Sequence, residues 1–401
     1  MVRSVKGLIE LHGDTEREVY LDSENSGLIF PEALEELVKA YSVAGYGHPS
    51  ITHKAGWESY ETLYQASEKF SILNTSPVEL VYTHGATEAN NLAILGSAKA
   101  NKTDRRKIIT SSIEHLSVIF PAEKLQEQGF KIVKIPVDGE GFVNQDQLEN
   151  EADSHTLLVS VGAVNHEIGV IQDLKGLVEN VKDRDSSILF HTDMADALGR
   201  IRINLKELNV DLASFSSHKV YGPKGAGLLY VKEGTNLEPV IHGQLSSQKL
   251  WPGVENIPSI AGFAKAVEIM DKLDKTKLTK LRDKLIDGVT SQVEDVMLNG
   301  PKGSRRAPDN VNLSFLYVEG EALTVELSMN GIYASSGSAC TSRVLQPSHV
   351  LLAIGRKYEE AHGSLLMKVT PFHSEEDIDY VLRHIPQGVA RLRSLSPIKR
   401  R

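Results

Sequence analysis

Ser214-Phe-Ser-Ser-His-Lys-Val-Tyr-Gly-Pro-Lys-Gly225 is the stretch around which this chain is organised. Val210–Phe215 predicts a short strand that the next two serines end, and Gly225–Val231 predicts a strand that returns after a turn. Lys219 therefore follows the end of a strand, where a lysine can form a Schiff base if its pKa is lowered. Most lysines are only solvated, so the rest of the chain must decide whether Lys219 is functional.

Short apolar stretches alternate with helical ones along the first two thirds of the chain. Strands are predicted at Glu79–Thr83, Lys107–Ser112, Thr156–Val161, Ser187–Thr192 and Asp211–Phe215. Helices are predicted between them, for example at 117–128 and 173–183. This alternation predicts an α/β fold in which a mostly parallel, doubly wound sheet is flanked by helices.

Unusual polar residues follow the ends of these strands, where parallel sheets bind their ligands. They are Thr87, His115, Asn165, Asp193, His218 and Lys219. Six such residues at one edge predict a site. The small-residue turn at 84–91, between a strand and a helix, offers backbone N–H groups and a helix dipole to a phosphate. It is not a Walker motif, because no Gly-Lys-Ser/Thr follows it.

Composition excludes several classes of protein. The chain has 401 residues, 44 basic and 53 acidic side chains and a formal net charge of -9, so nucleic acid is not an expected partner. No apolar run is long enough to span a membrane, and the N-terminus lacks the apolar segment of a signal peptide. The one cysteine excludes an internal disulfide framework and fits a reducing cytoplasm. No metal site is expected.

The pattern changes after about residue 258. Long helices are predicted at 260–273 and 279–294, followed by a strand at 310–315 and a closing helix at 374–394. We therefore expect a large domain at 20–258 and a smaller α+β domain made of 1–19 and 259–401. The smaller domain contains Ser335–Ser342, a loop of small residues with Cys340, and an exposed cysteine in such a loop is more often reactive than structural.

Four motifs together resemble the cysteine desulfurases of the class V aminotransferase group, which have the type I fold of pyridoxal phosphate enzymes. The motifs are Gly85–Asn91, Asn165–Gly169, Ser214–Gly225 and Ser335–Ser342. The resemblance extends from Tyr20 to Tyr380. It implies a homodimer that converts L-cysteine to L-alanine and passes the sulfur to an acceptor protein, for iron–sulfur clusters or tRNA thiolation.

The resemblance also implies a role for each site residue. Lys219 would be the Schiff-base lysine, Asp193 the partner of the pyridinium nitrogen, and His115 the residue that stacks on the ring and moves protons. Cys340 would accept the sulfur as a persulfide. The phosphate would lie against Ala86, Thr87, Ser216 and His218, and the phenolic side of the cofactor against Asn165 and Asp196.

Several positions depart from the family pattern. Leu366 stands where the family has the arginine that binds the substrate carboxylate, and Lys368, two residues on, could supply the charge but not the bidentate geometry. Asp196 replaces a glutamine, and an acid beside a phenolate is repulsive unless one is protonated. Val254, in the segment 251–254 that would reach the partner subunit's phosphate, replaces a threonine, and His48 replaces an asparagine.

These departures leave two alternatives open. The first is a class V relative that acts on another amino acid or on a different sulfur or selenium donor. The second is a catalytically degenerate homologue that serves as a scaffold, against which the presence of Lys219 and Cys340 argues.

Overall fold

The computed structural model describes residues 15, 17–243, 248–336 and 347–395. Twelve strands lie in these ranges: β1 (Val19–Tyr20), β2 (Leu80–Thr83), β3 (Lys107–Ser111), β4 (Lys131–Ile135), β5 (Thr156–Ser160), β6 (Leu189–Asp193), β7 (Leu212–Ser216), β8 (Gly227–Val231), β9 (Val296–Leu298), β10 (Asn310–Phe315), β11 (Ile332–Tyr333) and β12 (Ser364–Lys368).

The α-helices of the same ranges lie mainly between these strands. They are α1 (Pro31–Lys39), α2 (Lys54–Lys69), α3 (Ala86–Ala100), α4 (Leu116–Lys124), α5 (Gln145–Glu151), α6 (Leu174–Arg184), α7 (Leu205–Leu208), α8 (Ile257–Lys272), α9 (Lys275–Gln292), α10 (Gly320–Ser328), α11 (His349–Ala353), α12 (Tyr358–His362) and α13 (Glu375–Leu395).

Seven strands form the central sheet, in the order β2-β8-β7-β6-β5-β3-β4. All neighbours are parallel except that β8 runs antiparallel to both β2 and β7. The predicted α/β fold and the returning strand after Lys219 are therefore confirmed. Strands β3, β5 and β7 are buried along their whole length, because helices cover both faces of the sheet.

A smaller unit combines the antiparallel strands β9, β10 and β12 with the parallel pair β1 and β11. Its core contains Leu285, Val311, Leu365 and Val381, and helices α9 and α13 contribute to it. Strand β12 brings Leu366 and Lys368 into this unit on one face of the strand, because side chains alternate along a strand. Through this strand the small unit places Leu366 and Lys368 close to residues of the large unit.

Helix α8 packs into the core of the large unit, so the boundary between the two units lies after it. Its residues Ile260, Phe263, Val267 and Met270 belong to the core of the central sheet, although the sequence placed the domain boundary at 258. Leu273, directly after α8, packs against both cores. We therefore propose a boundary near Leu273 in place of the predicted one. No helix among the described residues has both the length and the apolar character needed to cross a bilayer.

Candidate active site

A cavity of about 520 Å³ opens at the carboxyl ends of the central strands. It is lined by all nine residues that the sequence assigned to a cofactor: Ala86, Thr87, His115, Asn165, Asp193, Asp196, Ser216, His218 and Lys219. Cys340 lies outside the described residues. Ser336 and Ser348, which lie on either side of the undescribed segment, both line the cavity.

The turn after β7 positions Lys219. Residues Ser217–Val220 form one 3₁₀ turn, which ends at Tyr221 with a φ of 60°. The backbone carbonyl of Lys219 accepts a hydrogen bond from Arg200 Nη1 at 2.9 Å, and Arg200 is itself paired with buried Asp309. The hydrogen bond from the Arg200–Asp309 pair therefore fixes the backbone of the turn that carries Lys219.

The turn before α3 approaches the same edge of the sheet. A Cβ placed on Gly227 of β8 would come within 2.5 Å of the backbone of Gly85, so this close approach requires glycine at position 227. Helix α3 begins at Ala86, and the first N–H groups of a helix have no partner within it. This turn can hold an anion.

Ser216 and His218 stand beside that turn. Ser216 Oγ and His218 Nδ1 are 2.9 Å apart. Burial lowers the pKa of His218 to about 4, helped by the neighbouring charge of Lys219. His218 is therefore neutral at physiological pH and can act as a hydrogen-bonding group beside an anion, without contributing a charge.

Asp193, at the end of β6, is held at both carboxylate oxygens. Asn90 Nδ2 donates to one oxygen at 2.7 Å, and the backbone N–H of Ala195 donates to the other at 2.9 Å. Such a fixed carboxylate can accept a hydrogen bond from a protonated ring nitrogen. Its neighbour Glu114 is fully buried, and this burial raises the pKa of Glu114 to about 7 despite the hydrogen bonds from Ser111 and Gly162.

His115 precedes α4 and caps it. Its Nδ1 accepts the backbone N–H of Ser117 at 3.1 Å, and its ring meets that of His166 edge to face, with the centroids 5.0 Å apart. The hydrogen bonds of Asn165 mainly hold its own loop. Its amide oxygen accepts the N–H groups of Glu167 and Ile168, and its amide nitrogen donates to the carbonyl of Ile113. One N–H of Asn165 is left for a ligand.

Four charged side chains, each at most 11% exposed, meet beside Lys219. Glu24 bridges two lysines: one oxygen contacts Lys219 Nζ, and the other lies 3.1 Å from Lys368 Nζ. Asp196 bridges the same lysines, at 3.2 Å from Lys219 and 3.0 Å from Lys368. The four side chains form a closed set of two ammonium and two carboxylate groups, which we call the charge cluster.

The charge cluster changes two expectations for the site. Burial favours the neutral form of Asp196, but Lys219, Lys368 and Arg200 outweigh it and hold the pKa of Asp196 well below its usual range. Burial likewise lowers the pKa of Lys219, but Asp196 and Glu24 raise it above its usual value. This direction is opposite to the lowered pKa that the sequence analysis expected of a Schiff-base lysine, because the two carboxylates favour the charged form of Lys219.

Lys368 is not placed to receive a substrate carboxylate. It is fully buried, does not line the cavity, and already contacts two carboxylates. Leu366, on the same face of β12, lines the cavity and is 4% exposed. His48 does not line the cavity either, and its Nδ1 accepts the N–H of Ser50 at 3.2 Å.

Sequence reasoning missed three acids of the site. Glu24 follows the first strand in a loop of small residues, where a lone acid gives little signal. Glu114 directly precedes His115, and Glu167 lies within the motif Asn165–Gly169, but sequence reasoning assigned neither acid a role. Burial raises the pKa of Glu167 to about 8, and Ser348 Oγ donates to it at 2.6 Å.

These features define a class of protein: an α/β enzyme with a lysine, a fixed carboxylate and an anion-binding turn around one cavity. The residues present fit pyridoxal phosphate. The turn of Gly85 and Ala86 would hold the phosphate, Asp193 the ring nitrogen and Lys219 the aldehyde carbon.

Comparison with known proteins makes the assignment specific. The family model described as Aminotransferase class-V matches residues 19–381. A cysteine desulfurase IscS of Clostridium botulinum is 42% identical over 387 residues, which cover 95% of this chain and 97% of the relative. The chain therefore belongs to the class V aminotransferase family, whose enzymes depend on pyridoxal phosphate.

Solved structures agree with this assignment. A NifS-like protein has a TM-score of 0.87 and 33% identity, and the match covers 94% of this chain and all of that one. A structure described as SspA in complex with cysteine has a TM-score of 0.78 and 30% identity, with 88% of this chain and 99% of that chain covered.

Proposed function

We propose that this protein is a cysteine desulfurase, which takes sulfur from L-cysteine and leaves L-alanine. The observation that carries the proposal is the convergence of Lys219, Asp193 and the anion-binding turn on one cavity. Its relatives named cysteine desulfurase cover almost the whole chain, and the chain has one cysteine, Cys340.

The chain's own residues supply positioning, proton transfer and the sulfur acceptor. Bound pyridoxal phosphate supplies an electron sink that weakens the bonds around the carbon bearing the substrate amine. Lys219 Nζ and His115, both on the cavity wall, would hold and move the protons. The thiolate of Cys340 would attack the substrate sulfur, so that an S–S bond forms as the C–S bond breaks.

The step balances without an external oxidant. The electron pair of the C–S bond stays with the substrate carbon, which takes a proton and becomes the methyl group of alanine. Cys340 ends as a persulfide, from which a sulfur-acceptor protein would take the sulfur for iron–sulfur clusters or tRNA thiolation.

Incubation of the purified holoprotein with L-cysteine tests the proposal. We expect alanine and sulfide in the presence of a reductant, and one extra sulfur atom on Cys340 by mass spectrometry without it. Cys340→Ser should lose the persulfide and keep the absorbance of the cofactor. Alanine formation that continues unchanged in Cys340→Ser would show that Cys340 is not the acceptor.

A second candidate is a desulfurase-like enzyme for another donor. The structural observation that favours it is the neutral Leu366 on the cavity wall, with the carboxylate of Glu24 nearby in the same cavity. Turnover of L-cysteine, L-selenocysteine and L-cysteine sulfinate by the same preparation would separate the two candidates. Alanine formed faster from selenocysteine or the sulfinate than from cysteine would favour the second.

We also propose that the protein is a homodimer. Helices α1 and α2 and the turns between them expose large apolar side chains that a monomer would leave in water, namely Leu34, Val38, Tyr41, Val43, Tyr46, Trp57, Tyr60 and Tyr64. Light scattering should give twice the mass of the chain. Trp57→Glu should reduce this mass, whereas Val325→Glu, at an exposed valine of α10 in the smaller unit, should not.

A further inference from the structure

The cavity has little positive charge to offer a carboxylate. Among the described residues that line it, Lys219 is the one lysine and no arginine is present. Burial lowers the pKa of His166, His218 and His349, so these histidines are neutral. His84 lies at an exposed position and is paired with Glu88. In the holoprotein Lys219 would be bonded to the cofactor, so the described lining would offer an entering carboxylate no free lysine or arginine.

Two carboxylates of the chain already form ion pairs with Lys219. In the charge cluster, Glu24 and Asp196 each contact both Lys219 and Lys368, so two positive and two negative charges cancel. Glu24 lines the cavity and is 8% exposed. When Lys219 is bonded to the cofactor, Glu24 and Asp196 would share Lys368, so an incoming carboxylate would meet the negative charge of Glu24.

Two further acids indicate that this environment disfavours additional negative charge. Glu167 has a pKa raised to about 8 by burial, with a smaller contribution from Glu24. Glu114 has a pKa raised to about 7 by burial and, less, by Asp193. Both line the same cavity. A free substrate carboxylate would meet the same neighbouring charges, without a guanidinium among the described lining residues to compensate.

We infer that Glu24 is a specificity-determining residue, and that the preferred sulfur donor is a cysteine whose carboxyl group is neutral, such as an amide or the first residue of a peptide. The inference rests on the proposed desulfuration and names the form of the donor. Such a donor keeps the amine and thiol that the reaction uses. It places a neutral carbonyl, which tolerates Glu24, where L-cysteine has a charge.

The binding of sulfur-free analogues of the donor tests the inference without depending on turnover. The dissociation constants of L-alanine and L-alaninamide for the holoprotein can be measured from the change in cofactor absorbance at one pH and ionic strength. The amine of the amide is less basic, so the ratio of the two constants is compared between variants rather than interpreted alone. This comparison removes the contribution of the amine.

Glu24→Gln removes the charge and keeps the size of the side chain. We expect the preference for alaninamide to fall at least tenfold in Glu24→Gln relative to wild type. Lys368→Met should change the ratio in the opposite direction, because Glu24 and Asp196 then lose a cation. Glu179→Gln, at an exposed acid of α6, is the matched control and should keep the wild-type ratio. Equal ratios in wild type and Glu24→Gln would overturn the inference.

Sulfide release from L-cysteine, L-cysteinamide and cysteinyl-glycine separates this inference from the proposed function. A higher kcat/KM for either amide supports the inference, and the better of the two indicates whether the donor is a small amide or a peptide. A higher kcat/KM for L-cysteine than for both overturns it. Release from none of the three would refute the desulfuration, while the binding ratios would still decide the role of Glu24.

Discussion

The two ends of the cavity are built in different ways. At one end, the backbone of the Gly85 turn, Ser216 and neutral His218 could together hold an anion. At the other end, charged side chains from separate parts of the chain neutralise one another, and Leu366 covers the wall. Apart from Lys219, cofactor binding and donor choice would therefore depend on different residues, so donor choice could change while cofactor binding is kept.

Lys219→Ala removes the residue that both ends share, and we expect the largest effect from it. The absorbance band of the lysine-bound cofactor should disappear, and donor turnover should fall by roughly 10²–10⁴-fold, as for the loss of a proton-transferring group. The anion-binding end should still retain the cofactor without a covalent bond. Lys224→Ala, at an exposed lysine of the same turn, is the control and should keep the band.

Retention of the covalent band in Lys219→Ala would mean that another amine holds the cofactor. That amine, and not Lys219, would then be the group that the two ends of the cavity share.

Leu366→Arg tests the donor end alone. A guanidinium at this position would give a free carboxylate a charge-assisted partner, worth about 1.5–3 kcal/mol. The KM for L-cysteine should therefore fall by about one to two powers of ten, with cofactor absorbance unchanged. Leu366→Met keeps the position neutral and is the control. A KM that does not respond to the arginine would place the carboxylate elsewhere in the cavity.

Glu167→Gln should change how stability depends on pH. Burial raises the pKa of Glu167 to about 8, so the folded protein keeps a proton at neutral pH that the unfolded chain releases. The contribution to the free energy of unfolding is present below the ordinary pKa of a glutamate and is lost as the pH rises through about 8. It amounts to on the order of 5 kcal/mol.

Thermal unfolding between pH 6 and 9 measures this effect. The wild-type Tm should fall over this range more steeply than that of Glu167→Gln, which keeps a neutral side chain of the same shape. Glu179→Gln should follow the wild type. Parallel curves for wild type and Glu167→Gln would show that Glu167 is ionised throughout.

Val254→Thr tests the cofactor end and should have the smallest effect. Val254 is 68% exposed, and a hydroxyl there could donate to a phosphate in a dimer. One hydrogen bond is worth about 0.5–1.5 kcal/mol, so cofactor affinity should rise by roughly two- to tenfold. Val254→Ala should show no such gain. Equal cofactor affinity of the Thr and Ala variants would show that the side chain at position 254 does not contact the phosphate.

The sequence predicted the strands of the central sheet that are buried on both faces, because continuous aliphatic runs such as those of β3 and β5 have few other interpretations. It missed β4, an edge strand whose two lysines break the apolar run, and α5, which buries Leu148 alone. It also ended the large domain at 258, within the first turn of α8, because a helix pattern does not reveal which core the helix joins.

The sequence by itself determined the residues at the strand ends. Lys219, Asp193 and the turn at 84–91 follow directly from strand order, since parallel strands bring their carboxyl ends to one edge. Their local sequences also matched a known family.

The tertiary structure alone decided the charge cluster. Glu24, Asp196, Lys219 and Lys368 are separated by up to hundreds of residues, and only the packing of the small unit against the large one brings them within 3.2 Å of each other's charges. Burial then fixes what each group does: a carboxylate beside two ammonium groups stays ionised, whereas Glu167, without a cation, holds its proton. Electrostatic neighbours and desolvation arise from distances in space, and sequence order does not contain them.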